Sequence, residues 1–310
     1  MRQLAKHVIR GAGPLFCGLI MLLGAPVTAQ ERVTLGVGRV LSNDYLADQE
    51  DRWRTGSYGF SVIRGSEWTG DMPARFGEVM EYRFRGEIIA PSDVSDPATG
   101  DRLYAGVLSG GVHTHAQLGG FEFAVGADLV IVGEQTGLRK FHEALHDLTN
   151  FADLDVEDYQ IEDGIYVSGV FEAARVLSFG SADLRPFVEL QAGVETFARA
   201  GFDLTLGGYG EGGLRVRDPI TGHRISAINS LTDQGVSFLL GADVAFVDSS
   251  IFLPEERGFE VEENRHRIRA GVNYAFGSSN IYYGLTYLSE EFVGQPEGQV
   301  IGTLSFDLRF

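Results

Sequence analysis

The sequence predicts an all-β protein, a transmembrane antiparallel β-barrel of about twelve strands with one short helix. First, the chain ends on an alternating strand, residues 300–310, in which Leu304, Phe306, Leu308 and Phe310 are separated by polar residues. Successive side chains of a strand point to opposite faces, so one face is apolar and the other polar. Second, the same alternation recurs along the chain, and third, the N-terminus has the pattern of an export signal. Together these features are typical of an outer-membrane barrel.

The first 29 residues are predicted to be a cleaved signal peptide. Arg2, Lys6 and Arg10 precede an apolar run at 15–23, and small residues at 27–29 form a cleavage site. The run is shorter than the roughly 20 residues that a spanning helix needs. No later apolar stretch is long enough either, so insertion must use strands that close into a barrel. We therefore predict a signal peptide at 1–29, an outer-membrane barrel at 30–310, and the outer membrane of a Gram-negative bacterium as its location.

The charge balance limits the possible partners. Asp and Glu number 43 against 25 Lys and Arg, a formal net charge of −18. This excess argues against nucleic acid as a partner, because phosphate contacts need clustered basic residues. It suits a polyanionic glycolipid surface met through divalent cations, although acidic loops that only keep the protein soluble would look the same. The single cysteine, Cys17, lies in the predicted signal peptide, so no disulfide or cysteine nucleophile is expected in the barrel.

Each predicted element follows from its pattern. A long connection at 91–101 separates the third and fourth strands, and the tight turn Leu118-Gly119-Gly120 joins the fourth to the fifth. Residues 134–148 have helical rather than alternating spacing of apolar residues and form the one predicted helix. Short Gly/Ser turns then alternate with longer polar loops at 218–234 and 252–264, which are predicted to face outward. The twelve predicted strands are 32–42, 57–64, 79–89, 103–115, 121–132, 165–177, 185–198, 204–216, 236–247, 265–276, 280–289 and 300–310.

Two polar clusters are predicted to meet at one end of the first hairpin. Asn43 and Asp44 follow the first strand, and the segment 51–56, which includes Thr55, precedes the second. Carboxylate, amide and hydroxyl oxygens are the hard ligands that calcium prefers. The alternative is turn chemistry, for which Asn, Asp and Gly are the usual residues.

His142 and His146 lie four residues apart on one face of the predicted helix. Such a pair binds a metal, or supplies one base and one orienting group. The segment H-E-A-L-H matches the zinc-protease pattern only superficially, because no third ligand is evident downstream. Two exposed histidines on an amphipathic helix are the alternative. A second pair, His113 and His115, shares one face of a strand end and is either a metal pair or part of a polar barrel lumen.

Four stretches together resemble the outer-membrane lipid A 3'-O-deacylase family. They are residues 43–56, with N-D followed by D-R-W-R-T-G; residues 90–106, with A-P followed by D-R-L-Y-A-G; the helix end F-H-E-A-L-H at 141–146; and E-F-V-G-Q-P-E-G-Q at 291–299. The motifs occur in the family's order and span nearly all of the predicted mature chain.

The resemblance implies a twelve-stranded outer-membrane barrel that removes 3'-linked acyl chains from lipid A with calcium. Its site would lie near the outer rim, between the barrel wall and the lipid. His146 would be the general base, Asn43 and Asp44 would hold calcium that stabilises the oxyanion, and Thr55 would line the site. The implied partners are lipid A or lipopolysaccharide and outer-membrane lipids, and we expect a monomer.

Three departures from the family pattern leave a second hypothesis open. The family's glutamine four residues before the base is His142 here, which we retain as a catalytic candidate; a tyrosine is Arg54, and the threonine before proline is Ala90. A non-catalytic barrel, structural or lipid-binding, that descends from the enzyme would also fit these changes.

Overall fold

The computed structural model describes residues 31–229, 234–277 and 279–307. The predicted signal peptide and the last three residues of the predicted terminal strand lie outside these ranges. The predicted fold is confirmed, because twelve antiparallel strands close into one barrel with a single α-helix beside it among the described residues. No helix in the described ranges is long and apolar enough to cross a membrane.

Most strands of the barrel pair with their neighbours in sequence, and there are three exceptions. The pairing of β1 with β15 closes the barrel, β6 pairs with β8 rather than with the short β7, and β9 pairs with β12 because β10 and β11 form a separate hairpin. The helix is α1, Leu138–Thr149. The strands are β1 Val33–Asn43, β2 Trp53–Gly65, β3 Val79–Ala90, β4 Ala105–Leu118, β5 Phe121–Val132, β6 Gly164–Ala174, β7 Leu177–Phe179, β8 Ala182–Ala192, β9 Glu195–Leu206, β10 Leu214–Arg217, β11 Arg224–Ile228, β12 Gly235–Ser250, β13 Asn264–Phe276, β14 Ser279–Leu288 and β15 Gln299–Asp307.

Because the barrel has an even number of antiparallel strands, the start of its first strand and the end of its last strand lie at the same rim. Val33 and Asp307 lie at this end, which we call the far rim, and Asn43 lies at the opposite end, which we call the site rim. Connections 44–52, 91–104, 133–163, 251–263 and 289–298 all gather at the site rim. The glycine turn between β4 and β5 lies at the far rim, and Gly119 and Gly120 have φ of 58° and 79°, which glycine adopts without steric cost.

The predicted strand 204–216 is wrong. β9 ends at Leu206, and the following connection, which leaves from the far rim, returns into the barrel as the hairpin β10–β11. The hairpin packs so closely against β1 that a Cβ on Gly36 would collide with the Ala227 carbonyl. Residues 218–229 therefore do not form the predicted outer loop. The prediction failed because β10 alternates apolar and charged residues as a barrel strand does, although both of its faces lie inside the barrel.

Arginines and carboxylates line the lumen around the hairpin. Arg54 is 8% exposed and binds three carboxylates, with Nη1 2.6 Å from Glu87 and Nη2 3.1 Å from Glu195 and 3.0 Å from Glu291. Buried ions of opposite charge tolerate burial only together, because each lone charge is costly to desolvate. This network and the hairpin narrow the lumen, and a cavity of about 170 Å³ remains between them.

The network gives a prediction about stability. Replacing Arg54 with methionine leaves three buried carboxylates short of a cation, so we expect the free energy of unfolding to fall by about 3 kcal/mol. Urea unfolding of the protein in detergent, followed by tryptophan fluorescence, measures the change. Arg75→Met is the matched control, because the Arg75 side chain is 83% exposed and pairs only with Glu78 among the described residues. Equal midpoints for the two variants would contradict the prediction.

Helix α1 lies on the outer face of the barrel wall. Glu87 faces the lumen, so its neighbour Ile88 faces outward on the same side as Phe84. Phe84 is 46% exposed, whereas Ile88 is only 9% exposed because it packs in a cluster with Tyr104 and Leu138. The helix thus covers the outside of β3 and β4 near the site rim.

Candidate active site

One side of the candidate site is formed by the connection between β1 and β2. Asn43 ends β1, and its Oδ1 accepts a hydrogen bond of 2.9 Å from the Tyr45 amide, which caps the short helical turn Asp44–Leu46. The chain returns through Asp51 into β2. Gln299 at the start of β15 holds the segment in place, because its Nε2 donates to the Arg52 carbonyl at 2.6 Å.

Asp44 is a fully buried carboxylate at the centre of this connection. Its oxygens accept hydrogen bonds of 2.8 Å from the Tyr45 and Arg52 amides. Within the described residues it has no ion-pair partner. Burial raises the pKa of the Asp44 carboxyl to about 8, although the hydrogen bond from Arg52 opposes the rise, and repulsion from Asp51 and Asp48 adds to it. Without a cation beside it, the Asp44 carboxyl therefore keeps its proton through most of the neutral pH range.

Thr55 joins Asp44 to Asp51. Its Oγ1 lies 3.2 Å from Asp44 Oδ1 and makes a shorter hydrogen bond to Asp51 Oδ1. A hydroxyl has one proton and donates to only one of the two carboxylates. Three hard oxygens therefore gather at one point, and two of them belong to carboxyl groups.

The two helix histidines complete the site from the other side. His146 Nε2 lies 2.8 Å from Asp51 Oδ2, and His142 Nε2 lies 3.5 Å from Asp51 Oδ1. Both rings are buried, 4% and 5% exposed, so the alternative of two exposed histidines is wrong. Although burial opposes it, hydrogen bonding to His142 and Thr55 and the charges of the two imidazoles lower the pKa of Asp51.

The remaining ring nitrogens are held by fixed partners. His146 Nδ1 lies 2.6 Å from the Ala152 carbonyl, to which it donates, so its Nε2 is the basic nitrogen when the ring is neutral. His142 Nδ1 lies 3.3 Å from the Tyr104 hydroxyl. Both imidazoles thus present Nε2 to the Asp51 carboxylate.

A family model described as "Outer membrane protein LpxR" matches residues 15–310. The chain belongs to the LpxR family. This is the family of outer-membrane lipid A 3'-O-deacylases, so the resemblance seen in the sequence is confirmed, and the protein is a barrel of the Gram-negative outer membrane.

A solved LpxR structure has the same fold. LpxR from Salmonella typhimurium has a TM-score of 0.73 at 13% sequence identity, covering 89% of this chain and 100% of that chain. The β domain of the Bordetella autotransporter BrkA has a TM-score of 0.45 at 12% identity, covering 89% of this chain and 99% of that one. At such low identity the likeness to LpxR shows the fold alone. None of the curated proteins compared with the chain matches it.

The structure brings four of the five candidate site residues into one contact network. His142, His146, Thr55 and Asp44 are all linked, directly or through one hydrogen bond, to Asp51. Asn43 lies at the edge as the cap of the adjacent turn. Asp51 and Gln299 also contact the site, although the motifs that contain them predicted no role for either residue.

The three departures from the family pattern lie in different places. Arg54 points into the lumen, on the opposite side of the wall from Thr55's contacts. Ala90 is fully buried in the apolar cluster beneath α1. Only His142 lies in the site itself. The second histidine pair considered in the sequence, His113 and His115, faces the lumen. His113 lies 3.1 Å from Asp128 and His115 lies 2.8 Å from Glu81, which supports the interpretation of both as lumen residues.

The donor set fits the calcium that LpxR membership implies. Carboxylate, hydroxyl and amide oxygens are calcium's preferred ligands. A buried carboxylate without a cation and a neighbouring carboxylate that shares its hydroxyl donor are the features that a divalent cation would relieve. Asn43 and Asp44 are the residues proposed to hold it, with Thr55 and Asp51 beside them.

Proposed function

We propose that this protein hydrolyses the ester that links a 3' acyl chain to lipid A. The observation that carries the proposal is the contact network of His146, Asp51, Thr55 and Asp44 on the outer face of the barrel at the site rim. A site in that place meets an ester whose acyl chains remain in the outer leaflet. Enclosure between the helix and the wall keeps bulk water away and strengthens electrostatic effects there.

The proposed reaction uses water as the nucleophile. His146 Nε2 takes a proton from water, and the resulting hydroxide adds to the ester carbonyl carbon. The tetrahedral intermediate then expels the sugar 3' oxygen, which receives the proton from His146, and the products are a free acid and a free hydroxyl. The Ala152 carbonyl and the Asp51 carboxylate stabilise the imidazolium that forms between these steps.

Calcium, when bound, would supply positive charge to the oxyanion. Asn43 and Asp44 would hold it, and Thr55 fixes the spacing of the two neighbouring carboxyl groups. His142 keeps Asp51 ionised and turned toward His146. A cation held by Asp44 would stabilise the ionised form of that carboxyl.

Substrate would enter from the leaflet past helix α1. The helix buries Arg139, His142 and His146 against the barrel and exposes an apolar stripe: Phe141 is 60%, Leu145 44% and Leu148 80% exposed. A helix of a soluble protein would bury this stripe. Here the stripe continues the apolar outer surface of the barrel, and we propose that it lies among the acyl chains and guides one of them to the site.

The stripe predicts a dependence on how the substrate is presented. In the double variant Phe141→Ser, Leu148→Ser we expect hydrolysis of lipid A embedded in vesicles to slow by about tenfold, which is the rate equivalent of losing about 1.4 kcal/mol of apolar contact. Hydrolysis of a short soluble ester should be unaffected. Lys140→Ser, on the same helix, is the control. Equal losses on both substrates would contradict this role.

The proposed function is tested by incubating the protein, folded in detergent, with lipid A and calcium and weighing the lipid by mass spectrometry. We expect loss of the 3'-linked acyl group, and a chelator should stop the loss. Unchanged lipid A in the presence of every divalent ion tried would overturn the proposal. If lipid A bound without change in mass, the non-catalytic lipid-binding barrel would be the better explanation, and His142 is the site departure that favours it.

A further inference from the structure

We infer that Asp51, His142 and His146 form a binding site for a nitrogen-preferring divalent cation of the zinc class, and that an ion bound there takes His146 out of base catalysis. The three residues offer ligand atoms that all lie within 4.8 Å of one another. The two imidazoles are perpendicular neighbours on α1, with ring centroids 4.4 Å apart. Two histidines and one carboxylate are a common zinc ligand set that leaves a position open for water.

The contact between His146 and Asp51 supports a shared third partner. Asp51 Oδ2 is buried and makes no hydrogen bond within the described residues, although His146 Nε2 lies only 2.8 Å away. The two atoms are thus close without being aligned as donor and acceptor. This geometry is expected when both atoms are directed at one point between the ligands.

The outer contacts of the three residues are those of metal ligands. A ligating histidine usually fixes its second nitrogen on a carbonyl, carboxylate or other polar group, which orients the first toward the ion. His146 Nδ1 has the Ala152 carbonyl at 2.6 Å, and His142 Nδ1 has the Tyr104 hydroxyl at 3.3 Å. Asp51 Oδ1 accepts from Thr55. Each ligand is held from behind, and both Nε2 atoms face Asp51.

His142 makes the ligand chemistry of this site different from that of the proposed calcium site. Calcium prefers oxygen ligands, as found around Asp44 and Thr55, whereas imidazole suits zinc, copper and nickel. The second imidazole stands where the sequence motif of the family has glutamine, whose amide is a poor zinc ligand. The chain therefore adds a nitrogen-rich site beside an oxygen-rich one, with Asp51 common to both.

The consequence for the reaction rests on the proposed function. The lone pair of His146 Nε2 either binds a proton or binds a metal ion. When the zinc-class ion occupies the site, the base is unavailable, and hydrolysis stops although calcium is present. Asp51 is the most accessible of the three residues, with its side chain 33% exposed, so the ion has a route of entry from the rim.

Zinc binding is measured directly by isothermal titration calorimetry of the full chain folded in detergent. Zinc is the only added metal, and a chelator sets the concentration of free zinc. We expect one zinc ion at this site in the wild type. His142→Gln should weaken that binding by at least about tenfold, the low end of what even a supporting partner of a metal ligand contributes. His266→Gln, a change of an exposed histidine on β13, should leave it unchanged. Absence of binding, or equal binding by His142→Gln and the wild type, would overturn the site.

Occupation of His146 Nε2 by zinc is measured by nitrogen NMR of histidine-labelled protein in micelles. Zinc should shift the Nε2 signal of His146, assigned with His146→Gln, while Nδ1 keeps its hydrogen bond. An unmoved Nε2 signal in zinc-loaded protein would contradict this occupation. Neither measurement requires turnover, so failure of the proposed hydrolysis and failure of the metal site give different results. In active protein, zinc should inhibit over the same concentration range in which it binds.

Discussion

Replacing His146 with alanine is expected to lower the rate of lipid A deacylation by about a thousandfold. A positioned base contributes roughly 10² to 10⁴ to the rate, and the imidazole at this position is oriented by the Ala152 carbonyl and the Asp51 carboxylate together. The barrel should remain folded, because no strand of the barrel pairs through this side chain. Initial rates measured by mass spectrometry of lipid A, together with circular dichroism of the same samples, give both quantities.

The control for this substitution is His266→Ala, which removes an exposed histidine from β13 and should keep the wild-type rate. If His146→Ala retained more than about a tenth of the rate, which is outside the range expected for loss of a base, His146 would not be the base. If both variants were inactive, a general loss of structure would explain the result, and the circular dichroism spectra would show it.

Replacing Asp44 with asparagine is expected to abolish the response to calcium and to lower the rate by about 10² to 10³, the cost of removing one source of oxyanion stabilisation. Asparagine has nearly the same shape and keeps one oxygen to accept from the Tyr45 or Arg52 amide. It lacks the charge that binds the cation. Burial already disfavours that charge, so its loss should not unfold the cation-free barrel.

Two measurements test this prediction. Calcium should raise the thermal midpoint of the wild type, because a ligand that binds only the folded state stabilises it, and should leave the midpoint of Asp44→Asn unchanged. Glu50→Gln removes an exposed carboxylate from the same connection and should behave as the wild type. Equal calcium shifts in Asp44→Asn and the wild type would show that the cation binds elsewhere.

The sequence predicted the barrel well where strands have one lipid face and one lumen face. The predicted strands 265–276 and 280–289 differ by a single residue at any end from β13, Asn264–Phe276, and β14, Ser279–Leu288. Tight turns and strict alternation define such strands locally. The turn between β8 and β9 was missed, because residues 185–198 are continuously strand-like and only Gly193, at φ 146°, marks the reversal.

The lumen hairpin could not be predicted from alternation. The segment L-R-V-R of β10 alternates as a barrel strand does, but Arg217 pairs with the lumen carboxylates Glu172 and Asp203, and the apolar residues of β10 pack against the inner wall. The difference between membrane-facing and lumen-facing apolar residues is a property of the closed barrel. It is not encoded in the period of the strand.

The candidate site was predicted as separate motifs and not as a constellation. Asn43, Asp44 and Thr55 belong to one hairpin, and His142 and His146 belong to a helix that is distant in sequence. Asp51 joins the two groups only because α1 packs on the outer face of the wall, a tertiary arrangement with no local signal. Helix α1 buries its histidines and exposes Phe141 and Leu148, which is the reverse of the pattern in a soluble protein. The placement of α1 could have been inferred from this apolar stripe in the sequence.

The most direct test of the central claim, attack by water activated at His146, is deacylation in water enriched in heavy oxygen. We expect the released fatty acid to gain one heavy oxygen in its carboxyl group and the sugar hydroxyl to gain none, and we expect the release to depend on calcium and on His146. Release of unlabelled acid, label in the sugar, or equal release by His146→Ala would contradict it.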